Sequence, residues 1–402
     1  MKPADIVARL KTAEWLVRAE TQELWALLDG ERGRTRVVGG IVRDTLLDRP
    51  REKSDIDFAT ELLPPEVALR AERAGVTVYP TGIEHGTLTL RLGTLVAEIT
   101  TLREDIETDG RRAVVKFGTD WSHDAARRDF TLNALYASMS GELFDPLDGL
   151  EDCLAGRIRF IGDPARRIVE DRLRVYRFFR FSASHGGEKF DPTGLAACRD
   201  ASGTLGTVSA ERIGAEIKRM LSLPRVAITL RTMVEAGVLH LSHESIRRLH
   251  SYERRARRPD VAARLALIIA ETGSHKLKSM WRLSNDDIVA AEAILAVAGL
   301  LREYELHEAA YRNPAALADG VEVAAVLADW SDAGRLAVTE QLRSLDVPRF
   351  PLSGGDLVRL GMRPGKALGA ELDRLEQLWI ESRFALDRDT LLAKVERSET
   401  LR

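Results

Sequence analysis

The chain has 402 residues, 45% of them apolar, and a formal net charge of −3, the make-up of a folded protein of about two to three domains. That charge excludes a uniformly basic nucleic-acid binder, so contact with a polyanion must come from local patches. Cys153 and Cys198 form neither a CxxC pair nor a zinc spacing, and no run of about 18 apolar residues is present to span a membrane; a reducing cytoplasm is expected.

Residues 1–30 read as helix, amphipathic and charged throughout, without the apolar core of a signal peptide. Residues 35–150 mix short strands with turn signals. Arg36–Val38, Ile56–Phe58, Thr87–Leu92 and Leu95–Thr100 fit strands, and Gly93-Thr94 suits a two-residue hairpin turn. From about residue 155 onward, apolar residues recur at three- and four-residue spacing, which predicts helices to the end.

Five segments carry candidate chemistry. In Val38-Gly39-Gly40-Ile41-Val42-Arg43-Asp44, a strand runs through two glycines into a helix. Glycines let a phosphate approach the backbone, and the helix start offers N–H donors; a plain tight turn explains the glycines equally well. Asp55 and Asp57 lie two apart on a strand and so share a face, opposite Ile56 and Phe58. Two such carboxylates repel unless a cation such as Mg²⁺ lies between them or water solvates them. Glu98 falls on the face of its strand opposite Leu95, Ala97 and Ile99, and is either a third metal ligand or an edge charge paired with an arginine such as Arg103. Arg127-Arg128-Asp129-Phe130-Thr131-Leu132-Asn133 offers guanidinium forks for phosphates and amide and carboxylate groups for sugar hydroxyls, or simply a helix start with surface arginines. The run from Arg167 to Phe181 reads as one helix, with Asp171 and Arg174 three apart and Arg177 continuing the line; an intrahelical ion pair of about 0.2–0.5 kcal/mol is the simplest reading of that pair.

Taken together, these segments resemble the class II tRNA nucleotidyltransferases and bacterial poly(A) polymerases of the polymerase-β-like superfamily. The Gly39-Gly40 run with Asp55-Ile56-Asp57 is similar to the family's catalytic motif, and Arg127-Arg128-Asp129-Phe130-Thr131-Leu132-Asn133-Ala134 to its ribose-selecting motif. Asp145-Pro146-Leu147-Asp148-Gly149-Leu150-Glu151-Asp152 resembles its hinge motif, with Cys153 where a leucine is usual, and Glu170-Asp171-Arg172-Leu173-Arg174 resembles its nucleobase-reading motif. Order and spacing agree over residues 35–225.

The resemblance implies an α+β chain: an N-terminal polymerase-β-like nucleotidyltransferase head with a small mixed sheet (1–150), then an all-α neck (151–225), body (226–345) and tail (346–402). It implies Mg²⁺ held by Asp55 and Asp57, with Glu98 as a further catalytic carboxylate. Gly39, Gly40 and Arg43 would cradle a triphosphate, and Arg128, Asp129 and Asn133 would sense the ribose. Asp171 and Arg174 would read the base, supported by Arg177. Hydrogen bonding rationalises that last assignment. C and A each present an amino donor beside a ring-nitrogen acceptor, which match a carboxylate acceptor and a guanidinium donor; U and G mismatch both. The implied partners are tRNA, CTP and ATP.

Residues 101–121 resemble the flexible loop of full CCA-adding enzymes, implicated in that family in switching from C to A addition, which favours CCA over CC addition. A poly(A) polymerase with the same head is the alternative enzyme, and a non-catalytic RNA 3′-end-binding protein the alternative of another class. In the helical remainder, Ser209-Ala210-Glu211-Arg212-Ile213 reads as a capped helix start. Arg247-Arg248, Arg254-Arg255 and Arg257-Arg258 form either a phosphate-contacting patch or a solvated face. Gly361 and Pro364 read as a helix stop and restart, His240 and His243 as non-metal residues.

Overall fold

The predicted first helix breaks into three pieces, Pro3–Lys11, Glu14–Val17 and Ala19–Leu27. The computed structural model describes residues 3–49, 56–109 and 112–396. The chain divides into two units, Met1–His240 and Leu241–Arg402.

The first unit is built on a seven-stranded mixed sheet. Its strands are β1 (Thr35–Val38), β2 (Ile56–Thr60), β3 (Thr77–Gly82), β4 (Thr87–Leu92), β5 (Leu95–Thr101), β8 (Tyr136–Ala137) and β9 (Leu143–Phe144). Their order is β3-β4-β5-β2-β1-β8-β9. β2 and β5 run parallel and place Asp57 opposite Glu98, while β1 pairs antiparallel with both β2 and β8. Period-two alternation decides the faces. Ile56 and Phe58 are buried and Asp57 exposed; Leu95, Ala97 and Ile99 are buried and Glu98 exposed. Trp25 clamps the N-terminal helices onto the buried face: its indole N–H donates to the Thr35 carbonyl at 2.9 Å, and its ring meets Phe58 edge-on at 5.3 Å. Burying a side chain such as Phe58 contributes roughly 1.5–3 kcal/mol. Gly93 and Thr94 form the expected two-residue turn, with Gly93 at φ 57°.

Two further expectations differ from what is observed. Residues 101–121, expected as a loop, contain an antiparallel ribbon of β6 (Arg103–Asp109) and β7 (Arg112–Phe117). The β-branched residues Ile106, Thr108, Val114 and Val115 supply the strand preference, which the resemblance to a loop obscured. The run expected as one helix over 167–181 is two, Pro164–Glu170 and Leu173–Ser184. Asp171 breaks it: the residue is extended (φ −151°, ψ 105°), and its carboxylate accepts the Leu173 N–H at 3.0 Å. A short acidic side chain thus satisfies the backbone of the next helix instead of continuing the previous one.

The helix Leu173–Ser184 packs through Phe178, Phe179 and Phe181 into an aromatic core with Phe130 and Phe160. The hinge-like segment locks onto the ribose-type motif. Asp152, fully buried, accepts from the Thr131 hydroxyl at 2.6 Å and from Arg159 at 2.7 Å. A side chain at Gly149 would strike the Thr131 carbonyl. Cys153 is buried, so a compact apolar thiol fills the place where a leucine was expected.

The second unit is helical from His243–Arg255 to Arg388–Ala393. Its interior holds a fully buried Arg264 paired with Glu253 at 2.7 Å, and a cluster around Trp379, Leu357, Leu375 and Leu391. Gly361, at φ 95°, ends the helix Gly354–Arg359, and the next begins at Lys366. Among the described residues no helix is long and apolar enough to cross a membrane. Both cysteines are buried and free.

Candidate active site

A cavity of about 600 Å³ opens in the first unit, lined among others by Gly39, Gly40, Arg43, Asp57, Arg128, Asp129, Asn133, Asp171, Arg174 and Arg177. Ten of the twelve residues singled out from the sequence therefore meet at one place. Asp55 lies outside the described residues. Glu98 does not line the cavity, but it stands beside Asp57 on the neighbouring strand, on the same exposed face. Arg103, the candidate partner for Glu98, bonds the His85 carbonyl.

Each lining segment is placed by its local chemistry. Gly39 has φ 80° and ψ −129°, a conformation open to glycine, and its N–H donates to the Leu135 carbonyl at 3.0 Å. That bond ties the β1 turn to the segment carrying Asn133 and starts the helix Gly40–Leu46. Buried Arg43 donates from Nε to Asp44 Oδ1 at 2.8 Å and from Nη1 to Asn133 Oδ1 at 2.6 Å. The Asn133 amide in turn donates to Asp129 Oδ1 at 3.0 Å, and Arg177 Nε donates to Asp129 Oδ2 at 2.7 Å. The residues expected at the triphosphate and the ribose are thus joined in one relay that ends at Arg177.

Burial alone would raise the Asp129 carboxyl, but Arg177 and the Asn133 amide outweigh it, so its pKa lies below the ordinary value. Arg128 is held separately. It donates to the Tyr136 hydroxyl and to Asp124 Oδ2, both at 3.1 Å. Asp124 is fully buried; burial pushes its pKa up, yet Arg128 and Arg127 prevail and hold it at about 2.

Asp171 and Arg174 do not form the ion pair their spacing suggested. Asp171 Oδ2 accepts from Arg212 Nη2 at 2.8 Å. Arg174 donates to Glu170 Oε2 at 2.7 Å and to the Arg167 and Arg127 carbonyls. Acceptor and donor stay distinct because each has its own partner. Arg177, expected to support that pair, instead bonds Asp129 and lies over the Phe181 ring at 5.4 Å.

Arg127, which opens the Arg127–Asn133 run, also lines the cavity; sequence reasoning missed Arg180, Arg212 and Arg219, which line it too. Arg180 carried a signal, three residues beyond Arg177 on the same helical line. Arg212 and Arg219 carried none beyond a helix start. With them, eight arginines face three aspartates among the described lining residues. That excess suits a ligand as anionic as a nucleoside triphosphate. The exposed carboxylate face of β2 and β5 offers hard oxygen donors that fit a divalent cation.

In the second unit, much of the basic run is engaged. Arg247 and Arg248 pair with Glu244, Arg248 also with Glu271, and Arg255 donates to the Ala325 and Trp330 carbonyls. Arg254, Arg257 and Arg258 are exposed.

A mixed sheet with a Gly-Gly turn and a strand-borne carboxylate at an arginine-lined cavity defines a nucleotidyltransferase. Residues 35–159 match the family model for the poly A polymerase head domain, and residues 189–247 that for the probable RNA and SrmB-binding site of polymerase A. The mitochondrial CCA tRNA nucleotidyltransferase 1 of Danio rerio is 32% identical over 377 residues, covering 90% of this chain and 87% of that protein. The CCA-adding enzyme of Limosilactobacillus fermentum is likewise 32% identical over 377 residues, covering 88% and 90%. The crystal structure of the Bacillus stearothermophilus CCA-adding enzyme in complex with CTP superimposes with a TM-score of 0.75 at 26% identity, covering 94% of this chain and 97% of that one. The chain belongs to the family of CCA-adding tRNA nucleotidyltransferases.

Proposed function

We propose that this protein adds C, C and A to the 3′ end of tRNA, taking CTP and ATP and using no nucleic-acid template. One observation carries the reading: the acceptor Asp171 and the donor Arg174 border the same arginine-lined cavity as Asp57. The amino group of C or A would donate to Asp171, and the adjacent ring nitrogen would accept from Arg174. U and G would leave both protein groups mismatched, at about 1–3 kcal/mol for each buried polar group left unpaired.

Asp55 and Asp57 would hold Mg²⁺, with Glu98 as the neighbouring third carboxylate. When bound, the metal lowers the pKa of the RNA 3′-hydroxyl and neutralises the triphosphate and the departing pyrophosphate. The 3′-oxygen attacks the α-phosphorus, the bond to pyrophosphate breaks, and the hydroxyl proton leaves to solvent. Gly39, Gly40 and Arg43 would border the triphosphate. Arg128, Asp129 and Asn133 would border the ribose, with Arg177 holding Asp129.

The functional division follows the head, neck, body and tail at 1–150, 151–225, 226–345 and 346–402. Exposed Arg254, Arg257 and Arg258 of the body would contact RNA phosphates, which position an RNA without reading its sequence. The free buried thiols suit a reducing compartment, the cytoplasm.

The test is incubation of the protein with Mg²⁺, a tRNA lacking its terminal CCA, and labelled nucleotides. The expected product is longer by three nucleotides, C from CTP and then A from ATP. A long adenylate tail would favour a poly(A) polymerase, and no extension would sink the enzyme reading.

A further inference from the structure

The relay through the cavity does not stop at Arg43. Asp44 Oδ1 accepts Arg43 Nε at 2.8 Å, and the same oxygen lies 3.1 Å from His185 Nε2. His185 follows directly on the helix Leu173–Ser184, which also carries Arg174 and Arg177. Its other ring nitrogen lies 2.7 Å from the Ser184 hydroxyl, and its ring packs 5.7 Å from that of Phe181. Arg49 adds a second tie at the same end of the helix, donating to the Ser184 carbonyl at 2.6 Å.

The contacts therefore close a circuit. Arg177 holds Asp129, Asp129 holds Asn133, Asn133 holds Arg43, Arg43 holds Asp44, and Asp44 meets His185 at the end of the helix that carries Arg177. We propose that His185 is a positioning residue for nucleotide selection: by donating Nε2–H to Asp44 it fixes the Arg43 guanidinium, and through it the Asn133 amide on the ribose side of the cavity.

Burial governs the protonation that this role needs. The imidazole is 10% exposed, and desolvation, only partly offset by Asp44, lowers its pKa to about 4. At neutral pH the ring is therefore uncharged. A proton on Nε2 points at the carboxylate, and Nδ1 accepts from Ser184. A neutral donor adds no charge that would compete with Arg43 for Asp44, so the carboxylate orients both. The inference rests on Asn133 and Asp129 facing the ribose.

The test compares kcat/KM for CTP with that for dCTP. In His185→Ala the ratio should fall about five- to tenfold, as expected for indirect loss of one charge-assisted hydrogen bond. His185→Gln, which can return an N–H to the Nε2 position, should restore most of it. A purely structural role would lower both substrates together and leave the ratio alone, so an unchanged ratio in soluble His185→Ala overturns the proposal. Should that variant fail to fold, Ser184→Ala decides: it frees the ring, and the ratio should fall about two- to threefold, while no change overturns the idea. Asn133→Ala, measured alongside, separates the two claims. If it leaves the ratio intact the ribose assignment fails, and if it lowers the ratio while His185→Ala does not, the inference about His185 fails alone.

Discussion

The cavity has two walls built in different ways. The head wall takes its shape from the sheet: Asp57 is aimed by strand alternation, and Gly39 and Asn133 are tied through the Gly39 to Leu135 hydrogen bond. The helical wall takes its shape from side chains that come from several segments. Asp171 is steadied by Arg212, 41 residues further on, and Arg174 by Glu170 and by a carbonyl 47 residues back. Backbone periodicity fixes the wall proposed to do chemistry, whereas long side chains tune the wall proposed to choose the base. A wall of the first kind should fail abruptly on losing a ligand yet keep its fold. A wall of the second kind should fail by degrees.

The largest effect belongs to the head wall. Asp57→Ala should cut nucleotide transfer by about a thousandfold or more, because a divalent ion's contribution of several kcal/mol depends on it. Asp57 is exposed, so the melting temperature should stay within the small range usual for surface changes. Turnover above a tenth of wild type with Mg²⁺ would break the contrast between the walls. On the helical wall, Asp171→Ala or Arg174→Ala should leave transfer measurable. Preference for CTP over UTP should fall about five- to a hundredfold, the size of one mispaired polar group. Single-nucleotide incorporation with all four triphosphates reads this directly. Arg212→Ala should act in the same direction with a smaller result, about two- to fivefold. Asp171 and Arg212 are 29% and 32% exposed at their side chains, and partly solvated ion pairs are worth little. A variant as damaged as Asp171→Ala would mean that Arg212 itself touches the nucleotide.

The same division explains what could be read from the sequence. Strand alternation alone assigns Asp57 and Glu98 to the faces opposite their apolar neighbours, and the parallel register of β2 and β5 sets them side by side. The Gly93-Thr94 hairpin was equally legible, because two residues between alternating runs leave few other geometries. The segment proposed to read the base was singled out by resemblance, and its conformation was misread by periodicity. Helical spacing joins Asp171 to Arg174 in one helix, but the competing bond from the Leu173 N–H to the Asp171 carboxylate breaks the helix there. No local rule pointed to Arg212, Arg219 or the Arg43–Asn133 bond, since those depend on segments brought together only by the fold. The β6–β7 ribbon carries its β-branched residues in plain view, and only the resemblance of that stretch to a loop hides their strand preference.

A last contrast concerns acid. The head wall clamps Arg128 with Asp124, whose side chain is 1% exposed and whose carboxyl is held at about 2, whereas the helical wall's Asp171 is partly solvated. The folded pKa of Asp124 lies below that of an unfolded aspartate, about 3.9. Its stabilisation is therefore fully present above about pH 5 and drains away as pH falls through the folded value. A depression of nearly two units corresponds to about 2–3 kcal/mol. Urea unfolding of the whole chain at pH 5, 4 and 3 should show part of this loss in the wild type. Asp124→Asn has no carboxylate to protonate, so it should start from a lower stability at pH 5 and decline less steeply between pH 4 and 3. Parallel slopes for the two proteins would show that the Asp124–Arg128 pair does not contribute to acid sensitivity. The rigidity of the head wall would then rest on its other contacts, among them the Gly39 turn and the Arg43–Asn133 bond.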